Sequence, residues 1–149
     1  MLLRAGSAKI TPNPPVWLGG KSGRETQANS VHDELEVNAV IISQIGFKLL
    51  LLQFDLLYVG NDFKLRLDRE LKDLFRPDQI FAVASHTHNA QMVDSSKPAL
   101  GRHNDRETVR LASVVGKLVN GLLKQPGQEF SIEHRIGEQD LSVNRRSRR

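Results

Sequence analysis

The sequence contains no cysteine, which excludes both a disulfide framework and a thiolate metal site. Any metal would have to be held by His, Asp, Glu, Tyr or carbonyl oxygen. Aromatic residues are scarce, with one tryptophan and one tyrosine, so a stacking surface for nucleic-acid bases is not indicated. Long apolar runs are missing too: the stretch around Leu49 to Leu52 falls far below the ~20 residues that span a bilayer. The start, Met1-Leu2-Leu3-Arg4, is too short and too soon charged for a signal peptide, which makes the cytoplasm the expected compartment. There is no Gly-x-Ser-x-Gly elbow, Walker loop or dinucleotide glycine fingerprint, and no internal repeat.

What is present suits one soluble α/β domain. The 149 residues are 39% apolar and 26% charged, enough for a real hydrophobic core. The net charge of +4 equals the four arginines at 145, 146, 148 and 149, so the rest of the chain is close to neutral. An arginine run can bind an acidic surface, but no aromatic residue is interleaved with it, and no specific nucleic-acid partner is expected.

Alternation predicts a first strand over Leu2 to Thr11, ended by Pro12 and the prolines that follow. A long glycine-containing loop, Val16 to Ser30, comes next, with Trp17 expected to anchor it to the core. Leu35 to Ile42 and Phe47 to Phe54 read as a hairpin turning at Gln44-Ile45-Gly46, its second strand apolar enough for burial on both faces. That strand ends in Asp55. Phe63, Leu67, Leu71, Leu74 and Phe75 then recur at helical spacing, with Asn61 or Asp62 as cap. Ile80 begins another strand. Asp105 would cap a second helix from about Arg106 to Lys124. Phe130, Ile132, His134 and Ile136 alternate as a one-sided strand, which makes His134 a core histidine. The expected fold is a mixed sheet with an antiparallel hairpin and a parallel β-α-β unit, helices packed on the sheet.

The segment Ile80 to Ala84 runs into Ser85-His86-Thr87-His88. Side chains two apart on an extended segment face one way, so His86 and His88 can share a divalent metal. Strand, helix, strand with short links makes the strands ending at Asp55 and His86 parallel neighbours, and open α/β folds place ligands at that carboxyl edge. Two imidazoles still fall short of the three or four ligands zinc takes. The metallo-β-lactamase pattern His-x-His-x-Asp-His fails at Asn89-Ala90-Gln91, and an amidohydrolase barrel needs about 250 residues to close. Ser85 points away from its neighbours and is a poor candidate nucleophile.

Taken together, Ala5-Gly6 to Thr11-Pro12, Leu18-Gly19-Gly20, Val31-His32-Asp33-Glu34-Leu35, Phe54-Asp55-Leu56-Leu57, Ala84-Ser85-His86-Thr87-His88 and Leu141 to Arg146 resemble the N-terminal part of the neutral/alkaline, non-lysosomal ceramidase catalytic domain. The motifs come in the family's order over nearly the whole chain. The resemblance implies a zinc-dependent amidase that cleaves a lipid amide, with His86 as metal ligand, His88 beside the metal at the reacting amide, and Arg145 approaching the developing oxyanion. It departs from the family at Asn38 and at Asn89-Ala90-Gln91. The family's remaining histidine, glutamate and tyrosine ligands and its serine come later than residue 149. A truncated single domain, 1–149, inactive alone and with an exposed sheet edge favouring self-association, is therefore expected. Two readings stay beside it: another metal hydrolase using His86, His88 and Asp55, with His32 or Asp33 as a further ligand, and a non-catalytic remnant or interaction module.

Overall fold

Five strands, two α-helices and two single-turn 3-10 helices account for the regular structure of the computed structural model, which describes residues 1–21 and 23–139. The sheet is built from β1 (Leu2–Lys9), β2 (Glu36–Gln44), β3 (Phe47–Phe54), β4 (Ile80–Ala84) and β5 (Gln128–Glu129), in the order β4-β3-β2-β1-β5. β1, β2, β3 and β5 pair antiparallel, whereas β4 runs parallel to β3 with Leu50 opposite Ile80 and Phe54 opposite Ala84. This is the α/β mixed sheet the sequence predicts, hairpin and parallel unit included. Gly46 supplies the positive φ, +74°, that turns β2 into β3.

The helices α1 (Asn61–Glu70) and α2 (Asp105–Leu123) cover one face of the sheet. Val37, Ala39 and Ile41 of β2 and Leu50, Leu52 and Phe54 of β3 are buried beneath them, together with Phe63, Leu67, Leu111, Val115 and Val119 from the helices. Phe54 meets Phe63 edge to face, ring centroids 5.3 Å apart, which fixes the start of α1 over the end of β3.

The other face is open, which corrects the expectation that β3 is buried on both sides. Leu51, Phe81 and Val83 are 38%, 58% and 57% exposed there, on the strands where α1 crosses only the opposite side. Among the described residues β4 is also an edge strand of the sheet, the two-residue β5 being the other. Its five residues carry no charge and no proline, the devices that usually keep an edge from pairing. An apolar dye is therefore expected to bind the chain. Replacing both Phe81 and Val83 by lysine should abolish most of that signal while moving the urea midpoint little, since both side chains already face water.

Four further expectations change. Trp17 is half-buried and lies under the Arg102 guanidinium at 4.0 Å, a surface cation–π pair rather than a core anchor. Asn104, not Asp105, caps α2, its side-chain oxygen accepting from the Arg106 amide at 3.1 Å. The strand predicted over 130–136 is not formed: only Gln128–Glu129 pair with β1, and Ile132 and Ile136 are exposed. His134 is exposed with them and is not a core histidine. Alternation alone could not reveal that this segment has no further strand to pair with.

Candidate functional site

The carboxyl ends of β3 and β4 meet at one place. The Ser85 amide continues the parallel ladder for one residue by donating to the Phe54 carbonyl at 2.9 Å. His86 then adopts φ 63°, the left-handed region that non-glycine residues enter only at a cost. Such local strain is concentrated at functional positions. The turn, rather than the pleat of a strand, brings the two histidines together. Their ring centroids lie 5.4 Å apart with planes at 76°.

His86 is oriented from behind. Its Nδ1–H donates to the Leu57 carbonyl at 2.8 Å, on the segment that leaves β3. A carbonyl can only accept, so Nδ1 carries a proton, and in the neutral tautomer this leaves the lone pair on Nε2. Metal-binding histidines are held in this way, with the second ring nitrogen tied to a backbone carbonyl. His88 is positioned by contact instead. It lies over Gly20, where φ is +91° and a built Cβ would come within 2.6 Å of the imidazole. Arg24 Nη2 donates to the His88 carbonyl at 3.4 Å and ties the same loop down. Replacing Gly20 by alanine is therefore expected to cost about 1–2 kcal/mol and to displace the His88 ring, visible as a shift of its imidazole NMR signals.

Asp55 sits at the expected sheet edge, but its carboxylate is turned away from the pair. One oxygen accepts from the Glu36 amide at 3.1 Å and the other from the Gln53 side chain at 3.3 Å. His32 and Asp33 pair with each other at 2.7 Å on the surface, and that hydrogen bond raises the His32 pKa. Among the described residues no group of three His, Asp or Glu side chains converges to hold a metal. The donors present thus fit part of a zinc site, one well-oriented imidazole with a second beside it. Arg145 lies outside the described residues.

Sequence reasoning missed the residue that organises the loop after the histidines. Asp94, 1% exposed, accepts from the amides of Asp62 and Phe63 at the start of α1 and from the Ser96 amide. It therefore caps α1 in place of Asn61 or Asp62, from more than thirty positions away. Gly60 makes room for it, since a Cβ at 60 would run into the Asp94 carboxylate. No local motif announces a cap supplied from so far along the chain.

No protein-family model and no curated protein matches this sequence. Solved structures do share its fold. A neutral ceramidase from Pseudomonas aeruginosa superposes with a TM-score of 0.73 at 18% identity, over 83% of this chain and 22% of that one. A ceramidase complexed with C2 superposes with a TM-score of 0.68 at 16% identity, over 84% of this chain and 22% of that one. The chain therefore has the fold of about a fifth of a neutral ceramidase.

Proposed function

We propose that this chain is the N-terminal portion of the catalytic domain of a ceramidase-like, zinc-dependent hydrolase of lipid amides. The observation that carries the reading is His86: a histidine at the carboxyl end of the parallel strand pair, Nδ1 committed to Leu57 and Nε2 free, in a fold shared with neutral ceramidases. His86 would hold the zinc through Nε2. His88, its ring beside that of His86, would hydrogen-bond the reacting amide, and Arg145 would supply the cation facing the oxyanion. Bound zinc supplies a polarised carbonyl and an activated water. Since two imidazoles do not complete a zinc site, the other ligands would come from chain beyond the 22% of the ceramidase fold spanned here.

The test is which imidazole meets the metal. Titration with cobalt(II), a paramagnetic substitute for zinc, should broaden the His86 ring signals at the lowest metal concentrations. His86→Ala should remove the effect, and His88→Ala should leave most of it. Broadening centred on another histidine would remove the reading. Asp55→Ala should not change the titration, because that carboxylate is already bonded to Glu36 and Gln53. A non-catalytic interaction module is the second reading, supported by the exposed Phe81 and Val83.

A further inference from the structure

A hollow of about 150 Å³ opens between two loops that are distant in sequence, one carrying Trp17, Lys21 and Arg24, the other running from Pro98 to Arg102. Backbone contacts hold the loops against each other. The Gly20 amide donates to the Leu100 carbonyl at 2.7 Å. Gly101 approaches so closely that a Cβ there would lie 3.0 Å from the Gly19 Cα. The hollow is too small for a whole organic ligand, whose sites start near about 300 Å³, but it has room for one compact group.

The charge of the lining has one sign. Lys21, Arg24 and Arg102 all contribute to it, and no carboxylate does. Outside the arginines at 145–149 the chain is neutral overall, so this is a local concentration and not a share of a basic surface. Among the described residues none of the three cations is in an ion pair. Like charges gathered without a counter-charge repel, and an anion between them relieves that cost. Two of the three heads are already placed. The Arg102 guanidinium sits over the Trp17 ring at 4.0 Å, an interaction with the ring that leaves its N–H donors unspent. Arg24 is held by one Nη2 bond, 3.4 Å to the His88 carbonyl, and keeps its other donors. Guanidinium forks match a planar carboxylate or a phosphate alike, but three cations around one compact space favour the group with more than one negative charge.

We propose that this hollow binds a phosphate group, received by Lys21, Arg24 and Arg102, with the rest of any molecule that carries it extending into solvent. The site needs no metal and stands apart from the zinc reading.

The chain has one tryptophan and it lines the hollow, so its fluorescence reports on this place alone. Titration of the whole chain with inorganic phosphate, at an ionic strength held constant with chloride and with chelator present, should give a saturable change in Trp17 emission. Lys21 is exposed and Arg24 half-buried, so both tolerate a neutral replacement. Lys21→Gln and Arg24→Gln should each weaken phosphate binding about fivefold or more, and Arg24→Lys should retain part of what Arg24→Gln loses. Lys72→Gln, outside the hollow, and His86→Ala should leave the affinity unchanged. No saturable change, an equal response to chloride, or a loss in Lys72→Gln or His86→Ala as large as in Arg24→Gln would overturn the proposal. Sedimentation with vesicles of phosphatidylcholine and phosphatidate separates the two sources of such a group. Sedimentation that Arg24→Gln abolishes assigns the phosphate to a lipid surface, and a phosphate response without sedimentation assigns it to a soluble ligand.

Discussion

Replacing Asp94 by alanine is expected to destabilise the chain by about 3 kcal/mol, as the sum of a lost helix cap and the orphaning of partly buried amides. The carboxylate receives the Asp62 amide at 2.9 Å, the Phe63 amide at 3.4 Å and the Ser96 amide at 2.8 Å, with almost no exposure to water that could substitute for it. Its charge also complements the positive end of α1. Asparagine keeps an acceptor oxygen but loses the charge, so Asp94→Asn should cost less than alanine. The same residue gives stability a pH dependence. Burial opposes ionisation of Asp94, but the Ser96 hydroxyl and the amides of Ser96, Phe63 and Asp62 outweigh it and hold the carboxyl below its ordinary value. A folded pKa below the unfolded one means a contribution that is complete above the unfolded value, about 4, and is lost as pH falls through the folded value. Urea midpoints followed from neutral pH downward should hold until about pH 4 and then drop, and Asp94→Asn should show a shallower drop. An identical profile in the variant would mean that other carboxylates carry the acid sensitivity.

Phe54→Ala should have the largest effect of any single core change, about 3–5 kcal/mol. The ring is fully buried at the end of β3, stands edge to face with Phe63 and lies beside Val37 across the ladder. Domains of this size have only about 5–15 kcal/mol in hand, so the variant would be close to unfolding at physiological temperature. Its local consequence bears on function. The Phe54 carbonyl accepts from the Ser85 amide immediately before His86, so a cavity beneath Phe54 should loosen the turn that holds the imidazole. Phe54→Leu, which leaves a smaller hole, should retain the fold and still shift the His86 ring signals. The contrast with Phe81 is instructive: the same residue type on the open face, 58% exposed, should tolerate lysine within about 0.5 kcal/mol. Equal losses at both positions, measured by urea unfolding, would contradict the assignment of the covered and open faces.

Much of this was legible in the sequence because the signals are local and strong. Gly46 with flanking apolar runs gave the β2–β3 hairpin, and the 3.6-residue recurrence from Phe63 gave α1. Short links around that helix gave the parallel pairing of β3 with β4, and with it the position of His86. The errors share a cause, since each depended on partners far away in the chain. A run such as Leu49 to Leu52 reads the same whether one face or two is covered, and nothing in it says that Leu51 and Phe81 look outward together. The alternation from Phe130 to Ile136 lacked a strand to pair with. Asp55 reached the expected edge but turned to the Glu36 amide, because a carboxylate next to an unpaired donor settles there at little cost. Asp94 was invisible for the opposite reason: it serves a helix more than thirty residues before it.

The candidate site was legible as a pair of residues and not as geometry. Spacing put His86 and His88 on one side of a strand, whereas a positive-φ turn at His86 does the work. The orientation of the His86 ring follows from the Leu57 carbonyl, which no sequence pattern predicts. On the reading proposed here, His86 is a first zinc ligand with its orientation fixed, and among the described residues it has too few companions to close a coordination sphere. The most direct test is the zinc content of the purified 149-residue chain after exhaustive dialysis, beside a zinc titration by calorimetry. Far less than one zinc per chain should remain after dialysis, with weak binding that disappears in His86→Ala. One equivalent of zinc retained through dialysis would show that a complete ligand set exists within these residues, and the half-site would have to be abandoned.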